Sequence, residues 1–301
     1  MKTTFRLLLT IGMLALSQTA FAKLNVFACE PEWAALAHEL GGNQLKVSSA
    51  TTGLQDPHHV QARPSLIARI RRADLLVCTG AELEIGWLPL LLQKSGNPAI
   101  QPGEPGYFLA TDSVDLLEVP DSLDRSAGDV HADGNPHIQT DPRRIAQVAG
   151  DLAKRLASLD PQHAPYYQRR YEHFIQRWQQ AIARWEKQAR AIRGRSIVVQ
   201  HKNWGYLEDW LGLKELAALE PKPGVPPTTG HLAKVLAAVK GQPVLAIIRA
   251  AYQSPKASQW LARKSGIQAI ELPFTVGGNP QATDLFSLFD DTLARLTRKQ
   301  P

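Results

Sequence analysis

The sequence predicts an α/β fold of two lobes joined by one long rigid helix, and three observations predict it. Short apolar runs alternate with helical patterns between residues 24 and 93, as parallel strands covered by helices require. The same alternation restarts at residue 196 and runs to 298. Between the halves lies one amphipathic stretch, 161–193.

Residues 24–29 form a strand. Residues 31–40 form a helix with Trp33, Leu36, Ala37 and Leu40 on one face, ended by Gly41-Gly42-Asn43. A second strand, 45–52, runs into Gln55-Asp56-Pro57-His58-His59. A helix over 64–72 carries Leu66, Ile67 and Ile70 inward, 73–79 is a third strand, and 82–93 is a helix. Residues 95–136 are rich in Gly, Pro, Asp and Ser and read as loop, with short strands at 107–110 and 115–119.

A helix over 141–156 precedes the long one. Within 161–193 the large residues fall at Tyr167, Tyr171, Phe174, Trp178, Ile182 and Trp185, steps of three and four that keep them on one helix face. That stripe is packing rather than a cofactor box, and about 30 helical residues would reach ~45 Å. The second half then gives strands at 196–200, 215–219, 244–249 and 269–273, with helices at 204–211, 232–239, 254–265 and 284–298. The division expected is a leader over 1–22, a first lobe over 23–160, a linker helix over 161–193 and a second lobe over 194–301.

The leader reading rests on Lys2 and Arg6, the apolar core 7–16 and the small residues of Ala20-Phe21-Ala22, the pattern of a cleaved secretory signal. Its core is too short to span a bilayer, which takes about 20 residues. A lipoprotein signal would place a cysteine directly after that core, whereas Cys29 lies inside the first strand. Removing two cations and no acids lowers the formal net charge from +6 to +4, and no cationic run exceeds Arg69-Ile70-Arg71-Arg72. That dispersion excludes a nucleic-acid footprint. The two cysteines, Cys29 and Cys78, both end apolar runs. In an oxidising compartment they would pair if those strands are neighbours; the alternative is two buried free thiols.

Three histidines carry the chemistry. His58, His137 and His201 each stand beside turn residues or at the end of an apolar run, in Asp56-Pro57-His58, Asn135-Pro136-His137 and Gln200-His201. Loops after the carboxyl ends of parallel strands are where open α/β sheets gather ligands, and three imidazoles suit a borderline ion such as zinc. Their separations of 79 and 64 residues match no compact local zinc signature. A secreted zinc-dependent hydrolase would use the same donors, but His-Glu-x-x-His is absent.

These blocks resemble the metal-specific periplasmic substrate-binding proteins of zinc and manganese ABC transporters. The likeness runs through Asp56-Pro57-His58, Pro64, Arg72-Ala73-Asp74-Leu75 and Gly80 to Leu83-Glu84. It continues in Asn135-Pro136-His137 with Asp141-Pro142, in His201 with Trp204-Gly205-Tyr206-Leu207, and in Glu220-Pro221. The resemblance implies two lobes of four-stranded sheet, non-enzymatic capture of a metal in the cleft, delivery to a membrane permease, and a periplasmic, monomeric protein. It implies His58, His137 and His201 as ligands.

Where many members of that family supply an acidic fourth ligand, this chain has Val276, in Phe274-Thr275-Val276-Gly277. The fourth position would then fall to water, with His59 as the outside candidate. An all-nitrogen shell favours Zn2+ over Mn2+, which prefers oxygen. His131 is expected to be a loop residue, and His38, His163, His173 and His231 structural or exposed. Glu32, Asp56 and Glu84, near strand ends, are candidates to orient ring nitrogens, and Asp284 reads as a helix cap. An adhesin-like surface protein on the same fold is a further alternative.

Overall fold

The computed structural model describes residues 23–120, 131–222 and 224–298, so the leader lies outside the described residues. The first sheet comprises β1 (Leu24–Ala28), β2 (Leu45–Ser49), β3 (Leu75–Cys78) and β4 (Tyr107–Leu109). They are all parallel, in the order β2-β1-β3-β4. The central strands are covered on both faces, so they read as unbroken apolar runs. Successive side chains of β1 feed opposite cores. Val26 and Ala28 pack with Trp33 and Leu36, while Phe27 and Cys29 pack with Leu66, Cys78 and Leu91.

Around this sheet lie α1 (Pro31–Gly41), α2 (Pro64–Ile70), α3 (Leu88–Ser95) and α4 (Pro142–Leu159). Each has a proline in its first turn, where a missing N–H costs no helical hydrogen bond. Two sequence expectations fail here. The helix expected from residue 82 begins only at Leu88, because Ala81 and Glu82 take left-handed φ of 46° and 64° and start a run of turns instead. Residues 115–119 form no strand; Glu118, at φ 54°, turns the chain back, and Asn135 N–H donates to the Leu117 carbonyl at 2.8 Å.

The long helix is α5 (Ala164–Ala189), preceded and followed by single 3-10 turns. Of its stripe, Tyr167, Phe174, Trp178 and Trp185 are inaccessible to solvent, while Tyr171 and Ile182 are half-buried against the core. The second sheet repeats the first, with β5 (Ser196–Val199), β6 (Lys214–Ala218), β7 (Val244–Ala250) and β8 (Ala269–Leu272) parallel in the order β6-β5-β7-β8. Its helices are α6 (Gly205–Leu211), α7 (Thr229–Val239), α8 (Lys256–Ser265) and α9 (Leu285–Thr297). Asp284 caps α9 by accepting the Ser287 N–H at 2.7 Å, while Ser287 Oγ accepts the Asp284 N–H at 2.9 Å.

One apolar cluster runs through both lobes. It joins Val26, Leu152 and Trp178 to Trp210, Ile248 and Phe289 without interruption. Trp178 meets Phe289 at 5.6 Å between ring centroids, and Trp185 meets Trp210 at 6.4 Å. A hinge opening that parted the lobes would expose this cluster, at roughly 25 cal/mol for each Å² of apolar surface. The helix is therefore a strut with a shared core along it.

β1 and β3 are neighbours, which resolves the two cysteines. Ala28 lies opposite Val77, so Cys29 and Cys78 come next in register; their Cα atoms are 4.7 Å apart and the sulfurs are bonded.

Candidate metal centre

Each of the three predicted histidines is aimed by a local device. In the loop after β2, Asp56 Oδ1 accepts the backbone N–H of His58 at 3.0 Å and lies 2.8 Å from its Nδ1. Asp56 thus caps the turn and fixes the ring, placing the proton on Nδ1 and the lone pair on Nε2. Burial pushes the Asp56 carboxyl up, but the hydrogen bonds and charge of His58 outweigh it and hold the carboxyl below its ordinary value. The loop is pinned from behind, because the Trp87 indole donates to the Pro57 carbonyl at 2.8 Å.

His137 is fixed through its backbone, which donates to Asn135 Oδ1 at 2.9 Å. Its ring is 2% exposed, and its Nδ1 has no hydrogen-bond partner among the described residues. Burial, then the neighbouring imidazoles His58, His201 and His131, hold this ring well below its usual pKa, so it is neutral at physiological pH. A buried imidazole that is neutral and short of a partner is a ready metal ligand.

His201 follows β5. Its Nδ1 lies 2.7 Å from Glu220 Oε2, and Glu220 stands at the end of the adjacent strand β6, its N–H donating to the Gln200 carbonyl at 3.0 Å. That pairing again leaves Nε2 as the lone-pair nitrogen. The structure brings all three together. The ring centroids of His58 and His137 are 5.4 Å apart, those of His58 and His201 6.2 Å, and those of His137 and His201 6.5 Å. Two of these rings come from the first lobe and one from the second.

A fourth imidazole stands among them. His131 Nε2 is 3.3 Å from His58 Nε2, and the His131 and His137 centroids are 6.2 Å apart. His58, His131 and His137 can each place one donor atom within 4.8 Å of the others. His131 is a loop residue, as expected, but the structure sets its ring beside the predicted ligands. The signal for it was its place six residues ahead of His137, with Gly134 between them to turn the chain. His59 is exposed and its ring meets that of His58 at 6.3 Å; neither it nor His201 belongs to the group whose donor atoms lie within 4.8 Å of one another. Val276 packs half-buried against the shared core, and the apolar ring that the second lobe sets against His137 is Phe274, at 5.3 Å. His163 pairs with Asp160 and His231 with the Ala218 carbonyl, as structural histidines do.

Glu32 and Glu84 do not orient ring nitrogens. With Glu30 they form a separate buried acid group against the disulfide. Glu84 accepts N–H bonds from Thr79 at 2.7 Å and Gly80 at 3.1 Å, and Glu30 accepts the Thr79 hydroxyl at 3.1 Å. The Thr275 hydroxyl, from the second lobe, donates to Glu32. Burial pushes Glu32 and Glu84 up to about 7 and Glu30 well above its ordinary value, the last aided by the nearby Glu84. The orienting carboxylate that sequence reasoning missed is Glu220. Asp56 and Glu220, the carboxylates beside the ring nitrogens, are both engaged with them.

Comparison with known proteins agrees. The family model of the zinc-uptake complex component A, periplasmic, matches residues 26–299. The high-affinity zinc uptake system protein ZnuA of Bacillus subtilis is 24% identical over 70% of this chain and 66% of its own length. The manganese ABC transporter substrate-binding lipoprotein PsaA of Streptococcus pneumoniae is 24% identical over 52% of this chain and 48% of its own. The chain thus spans about half to two thirds of the curated relatives it matches. A crystal structure of ZnuA superimposes with a TM-score of 0.77 over 91% of this chain and 98% of that one, at 20% identity, which shows the shared fold. A match across nearly all of the described chain settles the family: this chain belongs to the zinc-uptake complex component A family, binding components of uptake complexes rather than enzymes.

Proposed function

We propose that this protein captures a divalent transition-metal ion between its lobes and hands it to the membrane permease of an ABC transporter. His58, His137 and His201 are the ligands, Zn2+ is the preferred cargo over Mn2+, and the protein works as a monomer in the periplasm after its leader is removed. The observation that carries this reading is the convergence of three imidazoles from both lobes, two of them with Nδ1 taken by a carboxylate.

The preference for zinc follows from the donors. Imidazole nitrogen suits zinc, while manganese favours carboxylate and water oxygen. Relatives named for each metal match this chain at the same 24% identity, so the ligand chemistry and not the likeness supports zinc. Because the lobes share a core, capture and release are movements of the ligand-bearing loops rather than a wide hinge opening.

Competition titration of zinc against manganese on the purified protein tests the proposal. One tight zinc site per chain, weakened more than 100-fold by His137→Ala, is the expected result. Equal affinity for the two metals would remove the preference, and undiminished zinc binding by His137→Ala would remove the site.

A further inference from the structure

We infer that His131 is the fourth ligand of this site, completing a shell of four imidazole nitrogens; the inference rests on the metal-capture reading above. Ligands at 2.0–2.1 Å from a tetrahedral zinc lie about 3.3–3.4 Å from one another. The Nε2 atoms of His58 and His131 are 3.3 Å apart. Because Asp56 lies against Nδ1 of His58, the His58 nitrogen in that pair is the lone-pair nitrogen. The spacing is that of two donors on one edge of a coordination tetrahedron, and His137 offers a donor within 4.8 Å of both.

The chain is also shaped to hold His131 there. Residues 131–134 form a tight turn in which Gly134 N–H donates to the His131 carbonyl at 3.3 Å. Gly134 has φ +118°, and a Cβ at that position would press on Leu116 and the Leu117 carbonyl at 3.0 Å, so glycine is required. The turn is held at one end by the bond from Asn135 N–H to the Leu117 carbonyl. At the other, Ala132 N–H donates to Glu82 Oε2 at 2.8 Å. Glu82 reaches that point through left-handed φ at both Ala81 and Glu82, a conformation that side-chain-bearing residues rarely take. Strained backbone on one loop thus anchors the histidine of another.

A fourth nitrogen takes the position that water or a carboxylate would otherwise fill. It therefore sharpens selection of zinc against manganese. Glu82 is a positioning residue in this arrangement.

The test uses Co2+ and Zn2+ on the full chain, with His131→Ala and His137→Ala side by side and folding checked by thermal melting. The expected result for His131→Ala is a changed Co2+ d–d absorption spectrum as an oxygen ligand enters. A loss of zinc affinity on the order of 10–100-fold accompanies it, with a smaller loss for manganese. An unchanged spectrum overturns the inference, whether or not affinity falls, because His131 then acts without touching the metal. If that happens while His137→Ala still abolishes tight binding, the three-histidine reading survives alone. If neither substitution affects binding, the capture reading itself has failed.

Discussion

His201 Nδ1 and Glu220 Oε2 lie 2.7 Å apart across the ends of two adjacent strands. The carboxylate sets which ring nitrogen is left to bind. Replacing Glu220 by Gln keeps the shape but removes the charge that raises the basicity of the imidazole. Zinc affinity should fall about 10–100-fold, read by chelator competition. An unchanged affinity would show that Glu220 serves only the Gly224 turn, whose N–H it also accepts at 3.0 Å.

The buried acids make stability depend on pH in a sense opposite to most carboxylates. Glu32 and Glu84 titrate at about 7 in the folded protein, and Glu30 is raised well above its ordinary value, all led by burial. The unfolded chain releases these protons near pH 4.5, so between about 4.5 and 7 the folded state holds more protons than the unfolded one. Their contribution to stability is therefore full at low pH and declines as pH rises. Glu30 Oε1 has no hydrogen-bond partner among the described residues, and burial followed by the nearby Glu84 favours the protonated form of Glu30. Glu30→Gln mimics that protonated state. Denaturant titrations should show the variant gaining on the wild type by at least ~1 kcal/mol between pH 5 and pH 8. A difference that is flat with pH would refute the assignment.

The core shared along α5 should make the metal-free protein unfold as one unit. Calorimetry is expected to give a single transition for both lobes. Trp178→Ala, which leaves a cavity where the Trp178 indole donates to the Pro142 carbonyl at 2.8 Å, should lower stability by about 3–5 kcal/mol. Two separated transitions would mean that the lobes are independent and the helix merely a tether.

The Cys29–Cys78 bond closes a loop of 49 residues, which chain entropy values at roughly 4 kcal/mol. Replacing both cysteines by Ala should lower the melting temperature yet leave zinc affinity within about twofold, because both are buried in the apolar cluster of Phe27, Leu66 and Leu91. A large loss of affinity with the fold intact would tie the disulfide to the site.

The strand–helix alternation was legible because periodicity reports burial. Every strand core and the α5 stripe followed from it, and Asp284 announced its helix by the residue type that caps require. What the chain did not announce were non-local or backbone decisions. The left-handed Ala81–Glu82 pair leaves no trace in residue type, so the start of α3 was misplaced by six residues. His131 lies in a segment rich in turn formers, where periodicity says nothing of direction. Glu220 meets His201 only because β5 and β6 are neighbours, which is a matter of sheet order. Glu84, expected to steer a ring nitrogen, instead caps the Thr79–Gly80 turn from within the core.

X-ray absorption at the zinc K-edge of the zinc-loaded protein tests the central claim most directly. The account predicts a first shell of nitrogen at about 2.0–2.1 Å, with the multiple-scattering pattern of at least three imidazoles that disappears in part in His58→Ala. A shell dominated by oxygen, unaltered by that substitution, would contradict it.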